Sequence, residues 1–156
     1  MQQFAFPYQQ SLKSQLPAHV QDLITAAESA ADKAYAPYSN FKVGAALIQT
    51  DGTMLTGANH ENAAFPAGIC AERALFGGLD MGSGNKVVAI AIAYKTVKKE
   101  SLPPLSPCGI CRQTILEAQL HQQHPIAVYM SSPDGQIIMI EDASFLLPFH
   151  FSSQYL

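Results

Sequence analysis

The sequence predicts an α/β fold: an α-β-α sandwich around a mixed five-stranded sheet whose last strand is antiparallel. Three observations carry that prediction. Hydrophobic periodicity alternates between helical and extended segments in the order α-β-β-α-β-α-β-β. Lys86 to Tyr94 (KVVAIAIAY) is a nearly continuous apolar run, the pattern of a central strand covered on both faces. The connections across Asp51-Gly52 and Ser131 to Gly135 are too short for a crossover, so those strand pairs are antiparallel, whereas strands joined through helices are expected to be parallel.

Each element has a local reason. Residues 17–35 read as a helix, because Pro17 suits a first helical position and Val20, Leu23, Ile24 and Ala27 recur at helical spacing. Ala36-Pro37-Tyr38-Ser39-Asn40 breaks it. Phe41 to Thr50 and Thr53 to Ala58 read as a hairpin, and residues 59–67 as irregular. A helix covers 70–80 and ends before Gly82-Ser83-Gly84. Leu102 to Pro107 is a proline-rich loop that leads into a helix over Gly109 to Gln122. Pro125 to Met130 and Gln136 to Ile140 form the second hairpin, followed by a C-terminal tail. No repeat or linker splits the chain, so residues 16–156 are expected to form one domain behind an N-terminal arm, residues 1–15. Phe4, Phe6 and Tyr8 in that arm suit either a frayed terminus or a segment packed on another subunit.

Composition narrows the function. Of 156 residues, 48% are apolar and only 13% charged, and the net charge is -3. Such a chain is rich enough in apolar residues to bury a core and argues against disorder. It has two arginines, Arg73 and Arg112, and lacks the cationic footprint of a nucleic-acid binder. Three cysteines, an odd number in a domain this long, argue against a disulfide framework. With no signal-peptide pattern at the start and no apolar run of membrane-spanning length, a cytoplasmic location is expected, with reduced thiols and no membrane partner.

The three cysteines all fall at helix starts. Cys70 opens CAERALFGGL, and Cys108 and Cys111 form a P-C-G-I-C turn running into RQTILEAQL. The intervening strand would set the two helices side by side, with their N-termini at the end of the sheet where open α/β sheets keep ligands. Three thiolates there make a zinc site with one position left for water, as catalytic sites have, and helix N-termini favour thiolates. The ligand set carries excess negative charge, so an arginine donor to a ligand sulfur is expected. Arg73, one turn from Cys70, is the first candidate and Arg112 the second. Glu72 can reach the water position and act as general acid and base. A structural site completed by His60, His121 or His124 and a redox dithiol at Cys108 and Cys111 are the competing readings of these residues.

Cys70-Ala71-Glu72 followed by Pro107-Cys108-Gly109-Ile110-Cys111-Arg112-Gln113 resembles the zinc signature of the cytidine deaminase family in its three-cysteine form. Further segments resemble that family in order: Tyr35 to Ser39 with Phe41 to Leu47, Asn59 to Phe65 (N-x-E-N), and Leu146 to Phe151. The resemblance runs from about Leu16 to the end. It implies that Cys70, Cys108 and Cys111 hold one Zn²⁺ per subunit. It implies that Glu72 shuttles protons between the attacking water, ring N3 and the departing ammonia. The Ala71 backbone N–H would meet the base carbonyl, Asn59 and Glu61 the ribose 3′-hydroxyl, and Phe41 the base. Phe151 would reach the site of a neighbouring subunit in a homotetramer. Position 65 is Phe where relatives often carry tyrosine, so any hydroxyl contact is lost there. His60 falls at a variable position of the pattern, which weakens it as a ligand.

The implied function is hydrolytic deamination of cytidine and deoxycytidine to uridine and deoxyuridine, a step of pyrimidine salvage. The scarcity of cations favours an uncharged nucleoside over a nucleotide or polynucleotide. The alternatives are a deaminase of a modified cytosine nucleoside such as blasticidin S and a non-catalytic, zinc-stabilised scaffold that has no use for Glu72.

Overall fold

The computed structural model describes residues 1–97 and 102–156. Its sheet has strands β1 (Gln9–Leu12), β2 (Lys42–Gln49), β3 (Met54–Ala58), β4 (Val87–Lys95), β5 (Ala127–Ser131) and β6 (Gln136–Ile140), in the spatial order β1-β6-β5-β4-β2-β3. Helices α1 (Ala18–Ala30), α2 (Ala71–Gly77) and α3 (Gly109–Gln122) cover it. The helix expected to run to residue 35 gives way to a 3₁₀ turn, Ala31–Lys33.

The mixed sheet is as expected. The two hairpins are antiparallel, and β4 and β5, joined through α3, are parallel. β2 lies antiparallel to both β3 and β4 and so separates the two strands that α2 connects. The alternation of β4 divides the core. Ala89, Ala91 and Ala93 face the Val20, Leu23, Ile24 and Ala27 stripe of α1, while Ile90 and Ile92 face Leu75 and Phe76 of α2 and Ile115 of α3. One face therefore holds α1, and the other holds the two cysteine-bearing helices.

The strand count is six rather than five. The extra strand is β1, which pairs antiparallel with β6 through Gln9↔Met139 to Leu12↔Gln136. Its side chains are mostly exposed, so no apolar alternation announces it; backbone pairing alone defines it. Ahead of β1, Phe6 stacks on Phe145 with centroids 5.6 Å apart, so this arm lies against its own chain. Among the described residues, no helix is long and apolar enough to cross a membrane.

Candidate active site

Two helix starts meet at one end of the sheet. Cys70 and Cys108 are the N-cap residues of α2 and α3, each in extended backbone, and their carbonyls accept the first helical bonds from Ala74 N and Arg112 N, both at 2.9 Å. Cys111 sits in the first turn of α3 and is fully buried. The Sγ atoms of Cys70 and Cys108 are 3.9 Å apart and those of Cys108 and Cys111 3.4 Å apart. All three sulfurs lie within 4.8 Å of one another. Tetrahedral zinc with bonds of about 2.3 Å holds its sulfurs about 3.8 Å apart, so the donor set fits one zinc ion.

Two glycine approaches seat this end of the molecule. A Cβ on Gly57 of β3 would stand 2.7 Å from the Ala71 carbonyl oxygen and 2.8 Å from Leu75 N, so only hydrogen at that position lets α2 lie this close to the sheet. A Cβ on Gly44 would collide in the same way with the backbone of α1, 2.1 Å from the Ala27 oxygen.

Electrostatics distinguishes the site's groups. The Cys70 thiol is pulled down to about 6 by hydrogen bonding from Cys111, then from Cys108, and by the positive charge of Arg73. Cys111 is pushed up, because its own proton is held in that bond to Cys70 and burial disfavours a second thiolate. Burial also raises Glu72, which is 4% exposed, and the neighbouring Cys70 charge adds to the effect. Ala71, at the first position of α2, is fully buried between them.

The two arginines are placed differently. Arg73 acts on Cys70 through its charge, and the described residues show no hydrogen bond from it to sulfur. Among the described residues, Arg112 makes none to sulfur either. Its Nε donates to the Pro107 carbonyl at 2.8 Å, its Nη1 to the Leu146 carbonyl at 3.1 Å and its Nη2 to Ser106 Oγ at 2.9 Å. Pro107 and its neighbours in the loop offer carbonyls and few N–H donors, and the guanidinium fork matches that need. His60 also stands outside the sulfur cluster. Its backbone bridges Tyr35 and Ile69, and its ring lies 5.0 Å from that of Tyr35. No histidine of the described residues joins the three cysteines.

A cavity of about 570 Å³ opens beside Cys70, Cys108 and Glu72. Phe41, Asn59 and Glu61 line it. The Asn59 amide is engaged with backbone at both ends: Oδ1 accepts from Val43 N at 2.8 Å, and Nδ2 donates to the Phe41 carbonyl at 3.0 Å. Among the described residues, one N–H and one lone pair of that amide are left for a ligand. Glu61 Oε2 accepts from Tyr38 N at 2.8 Å and Ser39 N at 3.3 Å. The Ser39 hydroxyl and the Tyr38 backbone hold this carboxyl below its ordinary range. Phe151 is not brought to this cavity. It is 59% exposed, stacks on Tyr155 and has its carbonyl bonded by Gln113 Nε2 at 2.9 Å.

Sequence reasoning passed over several residues here. Ser39, Leu105 and Ser106 line the cavity, and Gly57 sets the height of α2. A lone glycine inside a strand pattern was the available signal for Gly57, since it marks a close backbone approach.

Residues 17–126 match the family model described as the cytidine and deoxycytidylate deaminase zinc-binding region. The chain is 42% identical over 135 residues to a cytidine deaminase of Halalkalibacterium halodurans, covering 86% of this chain and 95% of the relative. It is 38% identical over 135 residues to a cytidine deaminase of Sporosarcina psychrophila, covering 86% of this chain and 93% of the relative. Among solved structures, cytidine deaminase from Burkholderia pseudomallei superposes with a TM-score of 0.70 at 38% identity, covering 87% of this chain and all of that one.

Proposed function

The chain belongs to the cytidine and deoxycytidylate deaminase family, and from that premise we propose how its residues carry the reaction. The activity is zinc-dependent hydrolysis of the exocyclic C–N bond of cytidine and deoxycytidine, giving the uracil nucleoside and ammonia. The observation that carries the residue reading is the convergence of three sulfurs and a buried carboxyl at one end of an aromatic-walled cavity.

Cys70, Cys108 and Cys111 hold the zinc, which when bound supplies the Lewis acidity that makes water nucleophilic near neutral pH. Glu72 takes one proton from the attacking water and delivers it to ring N3, then takes the second from the hydroxyl formed on C4 and delivers it to the amino group as the C4–N4 bond breaks, leaving a carbonyl and ammonia. A carboxyl raised by burial suits a group that must both hold and release a proton. The Ala71 N–H, at the open start of α2, meets the base carbonyl. Phe41 supplies an aromatic wall for the pyrimidine. Glu61, kept ionised, and the free valences of Asn59 accept and donate to the sugar hydroxyl. Arg73 offsets the negative ligand set through its charge, and Arg112 braces the turn that carries Cys108.

The catalytic unit in this reading spans 16–156, with residues 1–15 as its N-terminal arm, and acts on free nucleosides in the cytoplasm as part of pyrimidine salvage. It assembles as a homotetramer in which Phe151 reaches a neighbouring cavity. What supports the assembly is a run of apolar side chains left in water near the C-terminus, with Phe149 93% and Phe151 59% exposed. Sedimentation checks the tetramer, and Phe151→Ala raising KM while the assembly persists checks the reach.

The reading as a deaminase of blasticidin S or another modified cytosine is not favoured, since the relatives named above are cytidine deaminases over nearly their full length. An ammonia-release screen over cytidine, deoxycytidine, cytosine, cytidine monophosphate, adenosine and blasticidin S tests the specificity. Turnover of the two free nucleosides is expected. Preference for the monophosphate or for blasticidin S would contradict it.

A further inference from the structure

Directly behind the cavity wall lies Tyr94, near the end of β4 and only 4% exposed. It stands opposite Val43 in the β2–β4 register, which makes Phe41 its diagonal neighbour. The two rings stack, with centroids 5.1 Å apart and planes 20° from parallel. At its other end the Tyr94 hydroxyl lies 3.0 Å from the Leu102 carbonyl and 3.1 Å from that of Pro103. A phenol has one proton, so a single donor is shared by two consecutive carbonyls.

Those carbonyls begin the loop that ends at Cys108. Pro103, Pro104 and Pro107 have no N–H, so the loop has few donors with which to tie itself to the sheet. Its described anchors come from elsewhere: Tyr94 at the start, the Leu105 N–H to the Ser131 carbonyl at 3.1 Å, and Arg112 at Ser106 and Pro107. Phe41 and the loop residues Leu105 and Ser106 all line the cavity, whereas Tyr94 touches both parts without lining it. The backbone at Phe41 is fixed by Ser39 Oγ and by Asn59, but its ring is backed by Tyr94.

We propose that Tyr94 is a positioning residue for nucleoside binding: its ring sets the plane of Phe41, and its hydroxyl fixes the start of the Leu102–Pro107 loop, so that two walls of the cavity keep one spacing. The proposal rests on the reading that Phe41 faces the base. Tyr94 meets no reacting atom, so its removal acts on binding and leaves the chemical step in place.

The test compares Tyr94→Phe, Tyr94→Leu, Phe41→Ala and the Phe41→Ala/Tyr94→Leu double variant. The readouts are kcat and KM for cytidine, Kd for the product uridine, zinc content and thermal unfolding. Tyr94→Phe keeps the packed ring and loses the shared hydrogen bond; KM and the uridine Kd should rise about five-fold with kcat and zinc content unchanged. Tyr94→Leu should raise both further, but in the Phe41→Ala background it should add only the roughly five-fold due to the lost hydroxyl, because the ring acts through Phe41. Unchanged KM and Kd in Tyr94→Phe overturn the proposal whether or not Tyr94→Leu folds, and so do fully additive effects in the double variant. If Phe41→Ala itself leaves KM and Kd unchanged, the Phe41 reading falls and the proposal falls with it. That result differs from one in which Phe41→Ala weakens binding and the Tyr94 variants do not.

Discussion

Glu61 and Glu72 line the same cavity and are held in opposite electrostatic conditions. Glu61 sits near the surface, where the Ser39 hydroxyl and the Tyr38 backbone donate to it and keep it ionised. Glu72 is buried beside a thiolate, and both circumstances disfavour its charge. The residue type is the same; hydrogen bonding favours the charged form of one, which suits the acceptor role proposed for it, and desolvation disfavours that of the other, which suits the proposed proton exchange.

The sharpest way to break this comparison is Glu72→Gln. It keeps the shape and removes the acid, so kcat should fall about 10²–10⁴-fold with zinc content intact. Thermal unfolding of that variant should be no lower than wild type, since burial works against the carboxylate. Retained turnover would show that the buried carboxyl is structural.

The burial of Glu72 depends on the seat of α2, and Gly57→Ala tests the seat. The added methyl must displace backbone, so a loss of about 1–3 kcal/mol in denaturant unfolding is expected, together with weaker zinc retention. A variant as stable as wild type would mean that α2 is not held there by close approach.

On the other side of the comparison, Glu61→Gln should raise KM about ten-fold while kcat stays within about three-fold, because it weakens a binding contact and leaves the chemistry alone. An equal fall in kcat would place Glu61 in the chemical step. The smallest effect concerns pH. A carboxyl held below its ordinary range keeps its charge until the pH falls beneath about 4.3, so the Glu61 contribution to KM should stay flat from about pH 7 to 5 and be lost only further down. A rise in KM between those values that Glu61→Gln abolishes would reverse the sign assigned to this group.

How much of this was legible follows from what each feature depends on. The helices and central strands declare themselves through side-chain periodicity, and the cysteines through spacing at helix starts. β1 does not, because Gln9, Gln10 and Ser11 join the sheet by backbone alone. Local spacing suggested an arginine beside the sulfurs; Arg73 reaches Cys70 through its charge, while the fold turns Arg112 toward carbonyls that a proline-rich loop leaves without donors, which spacing does not show. Tyr94 reads in sequence as the end of an apolar run, and only the tertiary arrangement brings Phe41 to one end of it and the loop to the other.

The central claim is that three cysteines hold a zinc ion on which deamination of cytidine depends. It is tested most directly by measuring metal content and ammonia release on the same sample, before and after dialysis against a chelator. The account predicts one zinc per chain, loss of metal and turnover together, and recovery of both when zinc is returned. Undiminished ammonia release from zinc-free protein would contradict it.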